Sequence, residues 1–397
     1  MPISFEEARR QILDATIPLS SERVQLLDSV GRALAEDFYA PWDLPRYDNS
    51  AMDGFAIRAA DAAAEADLLI TGYIPAGGTN LQPVTPGCAV KIMTGAPIPP
   101  GCDIVVPVEE TEVKNGRVRL LTSLQLREHI RCRGEDIAMG VMVLPAGTLL
   151  RPPEINLLAS FGQSLVTVFR RPRVAILSTG DELVELGMPF QEGRIINSNA
   201  FSLAAAVRDA GGEPLLLGIA RDTLESHREK LAQGFNADVL ITSAGVSAGD
   251  CDLVREVLRE LGAEEKFWKI DIKPGRPTAF AIKGGTMIFS LPGNPVSTLI
   301  TFEVFVRPAL RKMQGLTPAV RPVTMLQLAE PVRKRSERTQ FQRVRVQAQN
   351  GRLVASSAGD QNTGILTTMV RANGIAILPA ERDRFEAGDE VEVLFIE

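Results

Sequence analysis

The chain has 397 residues, 45% of them hydrophobic and 23% charged, a balance that argues against wholesale disorder and allows more than one buried core. Its formal net charge of −6 argues against nucleic acid or an anionic membrane as the main partner. The four cysteines (Cys88, Cys102, Cys132, Cys251) form no CxxC pair and only two histidines occur, which speaks against a structural zinc site or a disulfide framework.

Taken in chain order, Ser4-Phe5-Glu6-Glu7 reads as a capping box that opens a helix, with Ser4 capping the amide three residues on and Glu7 reaching back. A second helix is predicted over 27–35, and Pro41-Trp42-Asp43-Leu44-Pro45 breaks any continuation. From about residue 50 to 145 short alternating runs alternate with Gly and Pro, and Asn115-Gly116 between two such runs is a strong hairpin signal. Pro152 to Ser160 reads as the start of a further helix.

From about Arg173 the texture changes. Val174-Ala175-Ile176-Leu177 is a continuous apolar run, as expected of a strand covered on both faces. Helices are predicted over 198–210, 223–234, 252–261 and 297–313, and strands over 214–219, 239–242 and 286–291. Strands alternating with helices predict a parallel, doubly wound sheet. After Gly315 the period-2 runs return, as in Glu390-Val391-Glu392-Val393, which predicts a small C-terminal β-barrel or sandwich. No apolar run reaches the roughly 18–20 residues of a membrane span. The stretch Met1–Arg10 carries acids and no apolar h-region, so no signal peptide is expected and the cytoplasm is the expected location.

In open α/β sheets ligands bind at the carboxyl ends of the strands, so the loops there carry the candidate chemistry. Ser178-Thr179-Gly180-Asp181-Glu182 combines small residues with carboxylates able to hold a metal or a hydroxyl, or forms a capped turn. Ser243-Ala244-Gly245-Val246-Ser247-Ala248-Gly249 is suited to cradling phosphate, or is a tight turn before Asp252 as N-cap; it matches neither a Walker A loop nor GxGxxG. Lys273-Pro274-Gly275-Arg276-Pro277 holds two cations in a stiff frame, which suits phosphate or an oxyanion such as molybdate. Pro292-Gly293-Asn294-Pro295 joins a strand to the long helix, with Asn294 as its cap and Pro295 in its first turn, a place that a purely structural role also explains. Asp181, Glu182, Asp222 and Asp252 share one sheet edge and face those cations, a combination that suggests Mg²⁺ with phosphate. Outside this domain, Tyr47 to Ala56 and Arg131 to Asp136 read either as functional loops or as loops held by their own salt bridges. Arg333, Lys334, Arg335, Arg338, Arg343 and Arg345 against Glu337 read as a solvated strand face or a positive rim that steers an anion.

The segments DNSAMDGFA at Asp48, KIMTGAPIP at Lys91, RCRGED at Arg131, STGDE at Ser178, SAGVSAGDCD at Ser243, IKPGRP at Ile272 and LPGNP at Leu291 follow one another over nearly the whole chain. Together they resemble the molybdopterin molybdenumtransferases, the MoeA family that includes the C-terminal part of gephyrin. The resemblance implies a multidomain α/β plus β fold. Its parts would be a discontinuous helical linker domain (1–50 and 141–172), a β-rich domain (51–140), a central doubly wound, MogA-like α/β domain (173–315) and a C-terminal β-barrel (316–397). It implies substrates, adenylylated molybdopterin and molybdate, and a Mg²⁺-dependent cleavage that releases AMP as molybdenum enters the dithiolene.

The resemblance also implies a homodimer, in which the segments about Asp53, Thr94 and Asp136 face the α/β domain of the partner, and other cofactor-biosynthesis proteins as further partners. By the same resemblance Asp53, Asp136, Glu182, Asp252 and Lys273 would be catalytic, and Glu182, Asp222 and Asp252 would position the metal. Thr94, Ser178, Gly180, Ser243, Gly245, Ser247, Gly249, Lys273, Arg276, Pro292, Pro295 and Thr363 would bind pterin, phosphate or molybdate. Three positions depart from the family pattern: Ala244 and Ala248 stand where glycine and valine are usual, and Arg276 where lysine is common. A non-catalytic scaffold and a nucleotide pyrophosphatase on the same α/β domain are the competing readings.

Overall fold

The computed structural model describes residues 2–78, 82–189, 192–245, 253–334, 337–349 and 351–396. The chain forms two compact units, one of residues 1–35, 146–155 and 164–397, the other of residues 36–145 and 156–163.

The smaller unit is built on a six-stranded sheet with the strand order 104–107, 54–57, 88–92, 67–74, 117–120, 111–114. Along the strand Gly54–Ile57, Phe55 and Ile57 enter one apolar cluster and Ala56 the other. The two-residue alternation of a strand thus gives the sheet two buried faces. The hairpin Thr111–Lys114 to Arg117–Leu120 turns on Asn115 at φ 51° and Gly116 at φ 73°, the left-handed pair that suits the twist of a tight hairpin.

The larger unit carries a six-stranded sheet ordered 213–220, 173–179, 239–243, 286–291, 279–283, 264–267. The four strands from 213–220 to 286–291 are parallel, and the last two run antiparallel at one edge, so the sheet is mixed rather than wholly parallel. Alternate residues again divide the faces. Val174, Ile176, Val239 and Ile241 pack with the helix Ser198–Asp209 and the long C-terminal helix. Ala175, Leu177 and Leu240 pack with the helices Leu224–Gly234 and Leu253–Glu260. Helices on both faces make this a doubly wound domain. The first helix, Phe5–Ala15, sets Phe5, Ala8 and Ile12 into the first of these cores, with the Phe5 ring 5.6 Å from Phe305 and 5.0 Å from Phe341.

Beyond the long helix, five strands close on themselves in the order 339–349, 352–357, 323–328, 390–395, 374–378 and back to 339–349. The closed barrel has no free edge. Its strand Thr339–Gln349 also accepts a parallel partner, Ile272–Lys273, from the α/β domain.

Three local expectations change. Residues 27–35 form only a 3₁₀ turn at Leu27–Ser29, because Gly31 takes φ 77° and the amides of Gly31 and Leu34 are given to the carbonyls of Leu150 and Thr148. Glu7 binds Arg10 and Gln11 instead of completing the capping box, while Ser4 does cap the Glu7 amide at 3.1 Å. The long helix runs from Pro295 to Met313 but widens into a π turn at Phe302–Val306, next to Pro308, which has no N–H to give the Val304 carbonyl.

Candidate active site at the strand ends

The loops that follow the strands 173–179, 239–243 and 286–291 enclose a cleft of about 470 Å³. Six of the predicted residues line it: Ser178, Glu182, Ser243, Gly245, Pro292 and Pro295. Gly245 holds φ 75°, and a Cβ there would press on Val254 and on the Thr179 hydroxyl, so the loop needs glycine at this point. Ala244 beside it holds φ 74° and donates its amide to the Leu291 carbonyl at 3.1 Å. An alanine therefore occupies a left-handed conformation, at a position where the resemblance implies glycine. Ser247, Gly249 and Asp252, predicted for the same loop, lie outside the described residues.

Glu182 lies in the first of these loops, and Asp222 in the loop after the strand 213–220. The Glu182 side chain rests against Gly180, at φ 137°, where any Cβ would displace it; it makes no hydrogen bond or ion pair among the described residues. Asp181 and Asp222 clasp two strand-end loops reciprocally, each accepting the other's backbone N–H at 3.2 Å. Among the described residues no group of three or more His, Cys, Asp or Glu side chains converges as a metal cage.

Lys273 and Arg276 are exposed and have neither hydrogen bond nor ion pair from their side chains among the described residues. The frame between them is fixed: Pro274 and Gly275 are buried, Lys273–Pro274 is cis, and Thr278 Oγ1 donates to the Gly275 carbonyl at 2.6 Å. Neither positive charge has a carboxylate partner among the described residues, which is the condition for capturing an oxyanion. Pro277, just past Arg276, lines the first cleft, and Lys273 lines a second, of about 790 Å³, shared with Arg333, Gln340 and Thr363 of the barrel. Thr363 accepts a hydrogen bond from Asn294 Nδ2 at 3.2 Å, which ties the barrel loop to the proline loop.

That barrel loop is carried by Arg343. Its guanidinium is buried and donates to Thr368 Oγ1 at 2.8 Å and to the carbonyls of Asp360 and Asn362 at 2.9 and 3.2 Å. Burial pulls this group below its ordinary value. Lys334 is buried as well, against the carbonyls of Pro379 and Ala380. These two basic residues are therefore structural, and belong neither to a solvated face nor to a steering rim. Arg335 lies outside the described residues.

In the smaller unit Asp53 and Thr94 come together. Asp53 Oδ1 accepts from the Thr94 amide at 2.7 Å and from its hydroxyl at 2.8 Å, and these bonds, the amide first, hold the carboxyl below the usual range. The loop that bears Asp136 is held by its neighbours: Arg133 donates its amide to Asp48 at 2.8 Å and pairs with Asp43, and Arg127 pairs with Asp48 at 2.8 Å. The Asp136 side chain itself takes no part in that lattice.

Three sequence families match in succession: "MoeA N-terminal region (domain I and II)" over residues 3–162, "Probable molybdopterin binding domain" over 175–312, and "MoeA C-terminal region (domain IV)" over 325–396. The molybdopterin molybdenumtransferase of a Nostoc species is 37% identical over 94% of this chain and 88% of its own length. That of Haemophilus influenzae is 36% identical over 98% of both chains. The chain belongs to the molybdopterin molybdenumtransferase family. The crystal structure of the MoeA molybdopterin-biosynthesis protein of Pyrococcus horikoshii, 31% identical, superposes over 100% of both chains with a TM-score of 0.86.

Sequence reasoning gave no site role to three asparagines of this family member. Asn197 caps the helix Ser198–Asp209, Asn199 bridges Ser243 Oγ at 2.9 Å and the Gly293 carbonyl at 2.8 Å, and Asn294 reaches Thr363. The first two had a signal: Asn197-Ser198-Asn199 follows an apolar pair and precedes a helix, the place where a cap residue belongs.

Proposed function

We propose that this chain transfers molybdenum from molybdate to molybdopterin, taking adenylylated molybdopterin as substrate and releasing AMP. The observation that carries the reading is the pairing of a strand-end cleft, lined by small residues and hydroxyls, with two cations free of carboxylate partners beside it. The hydroxyls and loop amides suit a nucleotide phosphate, and Lys273 and Arg276 suit molybdate or a second phosphate. Glu182, with its carboxylate uncommitted, and Asp222, with one oxygen committed to the Asp181 amide, are hard oxygen donors that fit Mg²⁺ alongside substrate phosphate, with Asp252 as a further ligand. Bound there, the ion would neutralise charge that develops on the phosphoanhydride. Asp53, its carboxyl held ionised by Thr94, and Asp136 would orient water or substrate from the second subunit of a homodimer.

The four-part division into 1–50 with 141–172, 51–140, 173–315 and 316–397, a cytoplasmic location, and contacts with other proteins of cofactor biosynthesis belong to the same proposal. No helix among the described residues is long and apolar enough to cross a membrane. Scaffold and pyrophosphatase readings are not favoured, since the relatives that match the full chain are named as transferases.

The test is turnover. Purified protein is mixed with adenylylated molybdopterin, Mg²⁺ and molybdate, and AMP and active cofactor are followed together. Molybdate-dependent AMP release with cofactor formed is the expected result. AMP without cofactor would make the protein a hydrolase, and neither product from a folded protein that still binds the pterin would make it a scaffold.

A further inference from the structure

We propose that Asn197 and Asn199 are positioning residues that set the hydrogen-bond polarity of the cleft, turning Ser243 into a donor and Ser178 into an acceptor toward the ligand. The inference rests on the reading of this cleft as the substrate site, and deepens it.

The polarity follows from groups that have only one role. A backbone carbonyl can only accept, so the Asn199 amide atom 2.8 Å from the Gly293 oxygen is the nitrogen, and that same nitrogen lies 2.9 Å from Ser243 Oγ. Ser243 therefore accepts from Asn199, and its own proton has no partner among the described residues. A backbone N–H can only donate, so the Asn197 atom 3.4 Å from the Ala200 amide is the oxygen, and it lies 2.7 Å from Ser178 Oγ. Ser178 therefore spends its proton on Asn197 and keeps its lone pairs. Turning either amide over would set N–H against N–H at Ala200, or oxygen against oxygen at Gly293. Asn197 Nδ2 and Asn199 Oδ1, the other ends of the two amides, are buried without a partner among the described residues, so no described group pulls the amides the other way.

Both serines line the cleft and both are buried, where a hydrogen bond is not diluted by water. The donor at Ser243 selects an oxyanion. The acceptor at Ser178 selects an N–H or O–H. The ligand class is a phosphorylated heterocycle or nucleoside, with its phosphate toward Ser243.

The probe is AMP, with adenosine as the uncharged control, and the readout is affinity by calorimetry on the full-length protein. Asn199→Asp puts a carboxylate oxygen where the nitrogen was, so the Ser243 proton turns to it and is lost to the ligand. AMP binding should weaken by about 10- to 100-fold, the range of a hydrogen bond to a charged group. Asn197→Asp keeps the oxygen that Ser178 and the Ala200 amide require, and should stay within about threefold of the unaltered protein. Both changes add the same charge at the same cleft, so equal losses would overturn the proposal. Ser243→Ala leaves Asn199 and its bond to Gly293 in place; it should weaken AMP about tenfold but adenosine hardly at all, and it carries the test should Asn199→Asp not fold. Equal weakening of AMP and adenosine by Ser243→Ala would also overturn it. Unaltered protein that fails to bind AMP would overturn the reading of the cleft itself, and this inference with it.

Discussion

At the scale of single residues, the cleft contains one position where the chain departs from its family and the backbone does not follow. Ala244 holds φ 74° between Ser243 and Gly245. A left-handed alanine costs roughly 1–2 kcal/mol, and glycine returns part of that as unfolded-state entropy. Ala244→Gly should therefore stabilise the protein by about 0.5–1 kcal/mol, read as a higher midpoint in denaturant unfolding. An unchanged or lower midpoint would mean that the methyl group, 3.1 Å from where a Cβ on Gly293 would lie, contributes packing that offsets the strain. This position was legible only through the family resemblance, which implies glycine there. The role of Asn199 was not, since it depends on Gly293, 94 residues away. Local pattern carries no information about such a partner. The same limit applies to Thr363, whose link to Asn294 joins residues 69 apart.

At the scale of elements, the periodic signals were the reliable ones. Apolar runs covered on both faces located the parallel strands from 173–179 to 286–291, and Asn115-Gly116 located a hairpin. The two antiparallel strands at the sheet edge were missed: Glu264–Phe267 is short and charged, and Ala279–Lys283 follows directly on the basic loop. The element ends are held by ion pairs that also resist prediction. Asp238, at the start of the strand Val239–Ser243, accepts both Nη atoms of Arg170, at 2.7 and 2.6 Å, and the Arg173 amide at 2.8 Å. Burial alone pushes Asp238 up, but these three bonds outweigh it and hold the carboxyl below the ordinary value. A carboxyl depressed in the folded state gives stability that is present above its unfolded pKa and is lost as pH falls through its folded pKa. Asp238→Asn should therefore cost about 2 kcal/mol at neutral pH, and the gap between variant and unaltered protein should narrow as the pH drops below about 4. Denaturant unfolding at pH 7 and at pH 3.5 would check it, and a gap that stays constant would deny the ionised carboxylate any part in holding the strand.

At the scale of the whole molecule, the site residues fall into two sets that the chain carries in different compact units: Asp53, Thr94 and Asp136 in one, and the strand-end cleft with Lys273 in the other. The proposed homodimer gives these sets a reason to work across subunits, since a two-fold dimer offers each subunit's second set to its partner once and so forms two equivalent sites. Inactive variants can then repair one another. Asp53→Ala keeps the cleft and Lys273 but loses the carboxylate proposed to serve the partner; Lys273→Ala keeps that carboxylate and loses the cation. Each alone should be inactive. Refolded together in equal amounts, about half of the dimers would be mixed, and each mixed dimer would hold one site with both residues intact, so activity should recover to about a quarter of the unaltered protein's. Recovery requires subunit exchange, so size-exclusion chromatography with differently tagged variants must show the mixed dimer in the same sample. Mixed dimers without any recovered activity would place Asp53 and Lys273 of one subunit in the same site and end the shared-site proposal.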